Sequence, residues 1–362
     1  MNCTVKLKDI LEAVTFCLQF VSKKLPKFNH VQFTIKRKTL TAYAFDGSCY
    51  AKQTVPCTAN NNHIEFMLNA DLLHRFLNVC QADELVITCD DHYIPQVTFQ
   101  DNGNKYEFKT FDTLLPGFPE VEADSTELPD SLLKLAKLLA AATEKDSDRF
   151  QLSGIRFQFS DGDMTVATSD GRRICIVRES CSPDIEGEVL VPADVIRRLH
   201  GLTNLSMSHT KSMVKFSNES TEVCALVLQG VFPNINKLLD GLPAQSAART
   251  FGIEDFRSAV RKAAIVCDSD NPTVKVNIRE RHCTIAAEDA NAGKSEITLD
   301  FERATGDSNL EFALNYKFVL AALDNIDSLN LDEGKLIYRD KRSPVRFELG
   351  KCLYEISPMS AS

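Results

Sequence analysis

No apolar run in this chain approaches the roughly 18 residues that a membrane helix needs, so nothing in it reads as a transmembrane span. The opening residues, MNCTVKLKDILEA, place Asp9 and Glu12 where a secretory leader would be uniformly apolar, and a cytoplasmic protein is expected. The 12 cysteines form no C-x-x-C pair and no regular framework. In a long cytoplasmic chain that pattern means reduced thiols serving as small hydrophobes. The nearest thing to a metal motif, CDDH from Cys89 to His92, has no second pair of ligands, so no metal and no other cofactor is expected. P-loop, G-x-G-x-x-G and G-x-S-x-G signatures are missing as well, which leaves nucleotide and hydrolase chemistry without support.

Three acidic pairs keep an enzymatic alternative open: Asp90/Asp91, Asp161/Asp163 and Asp268/Asp270 could serve a metal- or carboxylate-dependent enzyme acting on nucleic acid. Asp beside Gly, Ser or Asn between two strand-like runs is far more often a turn residue. The turn reading is preferred.

What the chain does have is internal repetition. Its 362 residues, 44% hydrophobic and 25% charged, are enough for two or three domains with cores of their own. Three segments align without gaps: EFMLNADLL from Glu65, EVLVPADVI from Glu188 and EFALNYKFV from Glu311, a constant step of 123 residues. In each, a strand-like run meets Asn69, Pro192 or Asn315 and an apolar helical pattern begins, as at a capped helix start. Upstream of each lies a hairpin signature of period 2: Val31, Phe33, Ile35; Ile155, Phe157, Phe159; and Val274, Val276, Ile278, each followed by a turn and a second alternating run. Before each hairpin comes an amphipathic helix, clearest from Leu7 through Ile10, Val14 and Leu18 to Val21. The stretches LLPGFPEVEADSTELP and GLPAQSAARTFG read as linkers. The expected fold is α+β, with three similar domains, 1–122, 123–246 and 247–362, each packing two helices on antiparallel sheets.

The net charge of −9 at first argues against nucleic acid, but the charge is uneven. The six predicted helices are net basic, and Lys134, Lys137, Arg197, Arg198, Arg257, Arg261 and Lys262 are expected on exposed helical faces. Two copies of a three-domain arc with helices inside would make a ring lined by twelve helices. At roughly 10 Å per helix such a ring leaves a hole near 30 Å, wide enough for B-DNA.

Several motifs then carry a resemblance: RFQLSG (149–154), VATSDGRR (166–173), VFPNINKLL (231–239), FALNYKFVLAAL (312–323) and YEISPM (354–359). Across essentially its whole length the chain resembles the bacterial DNA polymerase III β subunit family, the sliding clamps. The resemblance implies a ring-forming clamp fold, a head-to-tail homodimer around double-stranded DNA, and no catalytic residues. It also implies capture of DNA polymerase and clamp-loader subunits through a short glutamine- and leucine-rich peptide, with no membrane partner. The family's peptide pocket falls here on Leu152, Ser169, Gly171, Arg172, Arg173, Ile174, Pro233, Lys237, Leu238, Tyr316, Pro358 and Met359. Its DNA-contacting positions fall on Lys24, Arg149, Phe150 and Gln151, with Arg197 and Arg198 on an inner helix, and its dimer contacts on Tyr106, Phe108, Ile265 and Val266. The sequence departs from the family at Ser169, Arg172, Lys237, Glu355 and Ser357. The charge of Glu355 in an otherwise apolar tail is expected to alter the peptide preferred.

Overall fold

The computed structural model describes residues 2–60, 63–90, 96–111, 113–144, 150–182, 185–235, 246–268, 270–306 and 309–359. Its contacts gather into two compact units, Met1–Thr126 with Leu205–Leu226 and Glu127–Asn204 with Val227–Ser362. Mixed helix and antiparallel sheet build both.

In the first unit, the Leu7–Cys17 helix buries Ile10, Ala13, Val14 and Cys17. The expected helix ran to Val21; instead the chain tightens into a 3-10 turn at Leu18–Phe20, which seats Phe20 in the core. The hairpin His30–Ile35 and Thr39–Phe45 sets Phe33 opposite Ala42 and Ile35 opposite Leu40, and all four are buried. The period-2 face expected from the sequence is therefore the core face. The same holds in the second unit, where Phe157 faces Val166 and Val276 faces Ile285.

The three repeated anchors are three copies of one junction. Asn69 caps the Ala70–Leu77 helix by accepting the Leu72 N–H at 2.9 Å, and Asn315 caps Tyr316–Asp324 by accepting that of Lys317 at 2.9 Å. Pro192 stands immediately before Ala193–Arg198. There its lack of an N–H costs nothing, because the first amides of a helix have no partner within it.

Sheet pairing crosses the expected boundaries. Strand Thr221–Leu226 pairs with Cys49–Pro56 in the first unit, and Arg173–Ser180 pairs with Cys352–Ile356 in the second. The second pairing makes one nine-stranded sheet, so the turn before Arg173 and the C-terminal residues lie at the same sheet margin. Half of the expected linker GLPAQSAARTFG is in fact a strand, Ala247–Gly252. Its alternation is disguised by Arg249, which is 2% exposed yet points inward with Ala247 and Phe251. The guanidinium is accommodated because it donates to the carbonyls of Glu280, Ala248 and Thr305 at 2.7, 2.9 and 2.9 Å.

Candidate functional site

Strand Asp163–Ser169 ends in a turn that its own side chains close. The Ser169 hydroxyl donates to the Arg173 carbonyl at 2.9 Å and accepts the Gly171 N–H at 3.0 Å. One Asp170 oxygen accepts the N–H groups of Arg172 and Arg173, each at 2.9 Å, and the other takes the Arg173 Nε at 2.8 Å. Gly171 has φ +84°, a conformation that costs a side chain strain and a glycine little. Ser-Asp-Gly is thus a self-contained turn whose polar groups are already used.

The two arginines differ. Arg173 is only 11% exposed at its side chain, and besides Asp170 it bonds the Tyr354 phenol at 3.2 Å and the Ala141 carbonyl, while its guanidinium lies 4.2 Å from the Phe318 ring centroid. Burial pushes the Tyr354 phenol up and keeps it protonated beside that cation. Arg173 therefore ties the Ala136–Ala141 helix, the turn, the last strand and the Tyr316–Asp324 helix together. Arg172 is exposed, and its carbonyl accepts the Ser357 N–H at 2.8 Å.

Below the turn lies an apolar floor of Leu152, Ala167, Ile176, Leu190, Phe232 and Ile235, with Ile174, Leu228 and Leu353 packed against it. Leu152 and Ile174 meet here, as the sequence reading placed them. Phe232 and Ile235 were not singled out, although both lie in the quoted VFPNINKLL segment; alternation within so short a loop gives no period to read. Pro233 is exposed between them, whereas Lys237 and Leu238 lie outside the described residues. The C-terminal segment is strapped alongside: after Ser357, the Met359 N–H donates to the Ala313 carbonyl at 2.8 Å, leaving Pro358 and Met359 half-buried. Tyr316, also half-buried, opens the helix that carries Phe318.

Glu355 requires a correction. It is 4% exposed and takes the Arg346 Nε at 2.7 Å, so its charge is spent inside the sheet and does not face a ligand. Arg257 requires another: expected on an exposed face, it is 8% exposed and held by Glu254, Asp327 and the Leu323 carbonyl. An amphipathic pattern cannot distinguish a solvated arginine from one folded back onto neighbouring carboxylates. Lys134, Lys137, Arg197, Arg261 and Lys262 are exposed as expected, and Arg198 less so. Arg197 and Arg198 share Asp194, while Arg261 bonds Asp324.

Of the DNA-contacting candidates, Lys24 is exposed, Phe150 is 54% exposed and Gln151 is half-buried, while Arg149 lies outside the described residues. Of the dimer candidates, Tyr106 and Phe108 sit on Asn104–Phe108, the edge strand of a five-stranded sheet. Their rings meet that of Phe76 tilted and edge-on, with centroids 4.8 and 5.1 Å away, and they help line a groove of about 830 Å³ with Leu72, Val79 and Phe111. Ile265 is 79% exposed on the 3-10 turn Ala264–Val266, with Val266 half-buried beside it.

The acidic pairs sit at turns and strand ends, with Asp163 opening the strand Asp163–Ser169. Asp161 occupies the hairpin turn with φ +54°, and Asp268 accepts the Asp270 N–H at 3.1 Å; Asp91 lies outside the described residues. Among the described residues, no three His, Cys, Asp or Glu side chains gather where they could hold a metal ion.

Comparison with known proteins adds to this geometry. No protein-family profile matches the sequence. The chain is 22% identical over 359 residues to the β sliding clamp of Treponema pallidum, covering 96% of this chain and 93% of that protein. It is 23% identical over 208 residues to the β sliding clamp of Chlamydia muridarum, a match that spans about half of each, 55% and 54%. Among solved structures, the Helicobacter pylori β clamp bound to a DNA ligase peptide superposes with a TM-score of 0.86 at 17% identity, covering 100% of both chains. The curated homologues of this chain are bacterial β sliding clamps, and its fold is theirs.

Proposed function

We propose that the protein is a DNA sliding clamp, a processivity factor rather than an enzyme: two copies close into a ring around duplex DNA and tether DNA polymerase and other replication proteins. The observation that carries this reading is the likeness of fold to clamp structures from one end of the chain to the other. The threefold division at 1–122, 123–246 and 247–362 belongs to it, supported by the three equivalent strand-to-helix junctions at Asn69, Pro192 and Asn315.

The floor of Leu152, Ile174, Phe232 and Ile235 beside the strapped Met359 is apolar, with Arg172 at its margin. Such a surface suits a short peptide carrying a few apolar side chains and one amide. Polymerase and clamp-loader subunits would present that peptide, as the ligase peptide does to the Helicobacter pylori clamp. Lys24, Arg197 and Arg198, together with Gln151 and residue Arg149, would hold phosphates weakly and without reading bases, because a ring that slides cannot depend on sequence. The clamp role itself implies work in the cytoplasm; among the described residues no helix is long and apolar enough to cross a membrane.

Loaded with a clamp loader and ATP, the protein should remain on a nicked circle and leave when that circle is linearised. Equal retention on linear DNA with free ends would refute topological linkage.

A further inference from the structure

Asn-Gly occurs once in the sequence, at Asn102–Gly103, where it makes the two-residue turn between Val97–Asp101 and the edge strand Asn104–Phe108. Both residues have positive φ, +48° and +85°, the backbone of a type I′ hairpin. Both are exposed, and a side chain begun at Gly103 would meet nothing within 4 Å. Other turns of the chain occupy the side chain that precedes their glycine. Asp46, before Gly47, accepts the N–H groups of Ser48 and Cys49 at 2.9 and 2.8 Å. Asp170, before Gly171, accepts those of Arg172 and Arg173, each at 2.9 Å. The side-chain amide of Asn102 bonds nothing among the described residues.

We propose that Asn102 is a modification site: the turn deamidates, and the isoaspartyl product unlatches the edge strand. The Gly103 nitrogen attacks the Asn102 Cγ; that bond forms, the Cγ–Nδ2 bond breaks, and Nδ2 leaves as ammonia with the Gly103 amide proton. Glycine favours the step because no Cβ hinders the approach. Water then opens the cyclic imide at either carbonyl. Opening at Cγ leaves an ordinary aspartyl residue. Opening at the backbone carbonyl sends the main chain through Cβ and Cγ, one carbon longer. The turn has to loosen for the nitrogen to reach Cγ, and it stands where loosening costs least, since Asn104–Phe108 is paired on one side only. A two-residue turn fixes register, and here Asp101 faces Asn104, Phe99 faces Tyr106 and Val97 faces Phe108. The added carbon breaks that register. Asp101 does not yield, being 6% exposed and accepting the Gln81 and Ala82 N–H groups at 3.2 and 2.7 Å. The displacement therefore falls on Asn104–Phe108 and draws Tyr106 and Phe108 away from Phe76.

The test ages the full-length protein in mildly alkaline buffer and follows two signals. Isoaspartate is read by methyl transfer from a protein isoaspartate methyltransferase with peptide mapping, and the strand by amide hydrogen exchange. Isoaspartate should arise at position 102 ahead of every other asparagine, and faster as pH rises. Residues 104–108 should lose exchange protection in step with it. Asn102→Gly keeps a turn suited to type I′ and has no side-chain amide, so it should age without either change. Asn102→Asp supplies the aspartyl product alone, and when fresh it should keep the strand protected, which separates the added carbon from the added charge. Isoaspartate at other asparagines with none at 102 would overturn the site. Isoaspartate at 102 with residues 104–108 still protected would overturn its effect on the strand. So would an equal loss of protection in aged Asn102→Gly or in fresh Asn102→Asp.

Discussion

Leu152 and Met359 both belong to the proposed docking surface, but burial separates what their truncation should do. Leu152 is 3% exposed in a close-packed cluster, so Leu152→Ala should lower stability by roughly 2–5 kcal/mol before any effect on a ligand. Met359 is half-buried at the chain's end, held through its backbone N–H. Met359→Ala should leave the melting temperature near wild type and weaken peptide binding by about 1–3 kcal/mol. Thermal denaturation beside calorimetry separates the two, and undiminished binding by Met359→Ala would remove it from the site. Glu355 illustrates the opposite case, a residue whose type suggested ligand contact and whose position forbids it. Glu355→Gln strands the Arg346 charge inside the sheet and should cost about 3–5 kcal/mol of stability, with peptide preference unchanged. A Glu355→Gln protein as stable as wild type but altered in peptide choice would reverse the assignment.

At the level of elements, the exposed edges carry the clearest consequence. Asn104–Phe108 and Gly293–Asp300 are each the last strand of a sheet, and both are exposed along most of their length. A long open edge pairs with whatever chain reaches it unless charge or a partner protects it. Beside the first edge lies the aromatic groove of Phe76, Tyr106 and Phe108; the second unit offers Ile265. If these surfaces close the ring, Ile265→Asp with Val266→Asp should convert a dimer into a monomer near 40.4 kDa in light scattering, with the fold retained because Ile265 contributes little to its own core. A wild-type mass already at the monomer value across micromolar concentrations would dispose of the dimer. Helix starts were legible from sequence because a cap is a local event: the Asn side chain reaches an amide two or three residues on. Helix ends were not, since the 3-10 turn after Cys17 is set by where Phe20 finds its cavity.

For the molecule as a whole, burial of neutral histidines sets a direction for stability against pH. Desolvation lowers the pKa of His30, His200 and His209, with Lys137 adding to the effect at His200. The unfolded chain therefore binds protons before the folded one does as pH falls below the usual histidine value. Stability should be fully present above about pH 6.5 and decline below it. His30 is 7% exposed beneath the edge of Phe111, so His30→Gln should flatten part of that decline in chemical denaturation at pH 5.5 against 7.5. An identical pH dependence in the variant would clear His30 of the effect.

Sequence by itself determined the elements and their repetition. A period of 2 or 3.6, an Asn before a helix and an Asp-Gly in a turn act over a few residues, where the chain's own geometry leaves little choice. It also placed Leu152 and Ile174 in one apolar site through likeness of motif. Tertiary structure alone decided which charges stay in water. Arg257 and Arg249 are buried, Arg173 is a strut and Arg172 is exposed, although nothing local distinguishes one arginine from another. The physical reason is that a buried guanidinium is tolerable only where carbonyls and carboxylates from distant segments converge on it, and that convergence exists only once the sheets have formed.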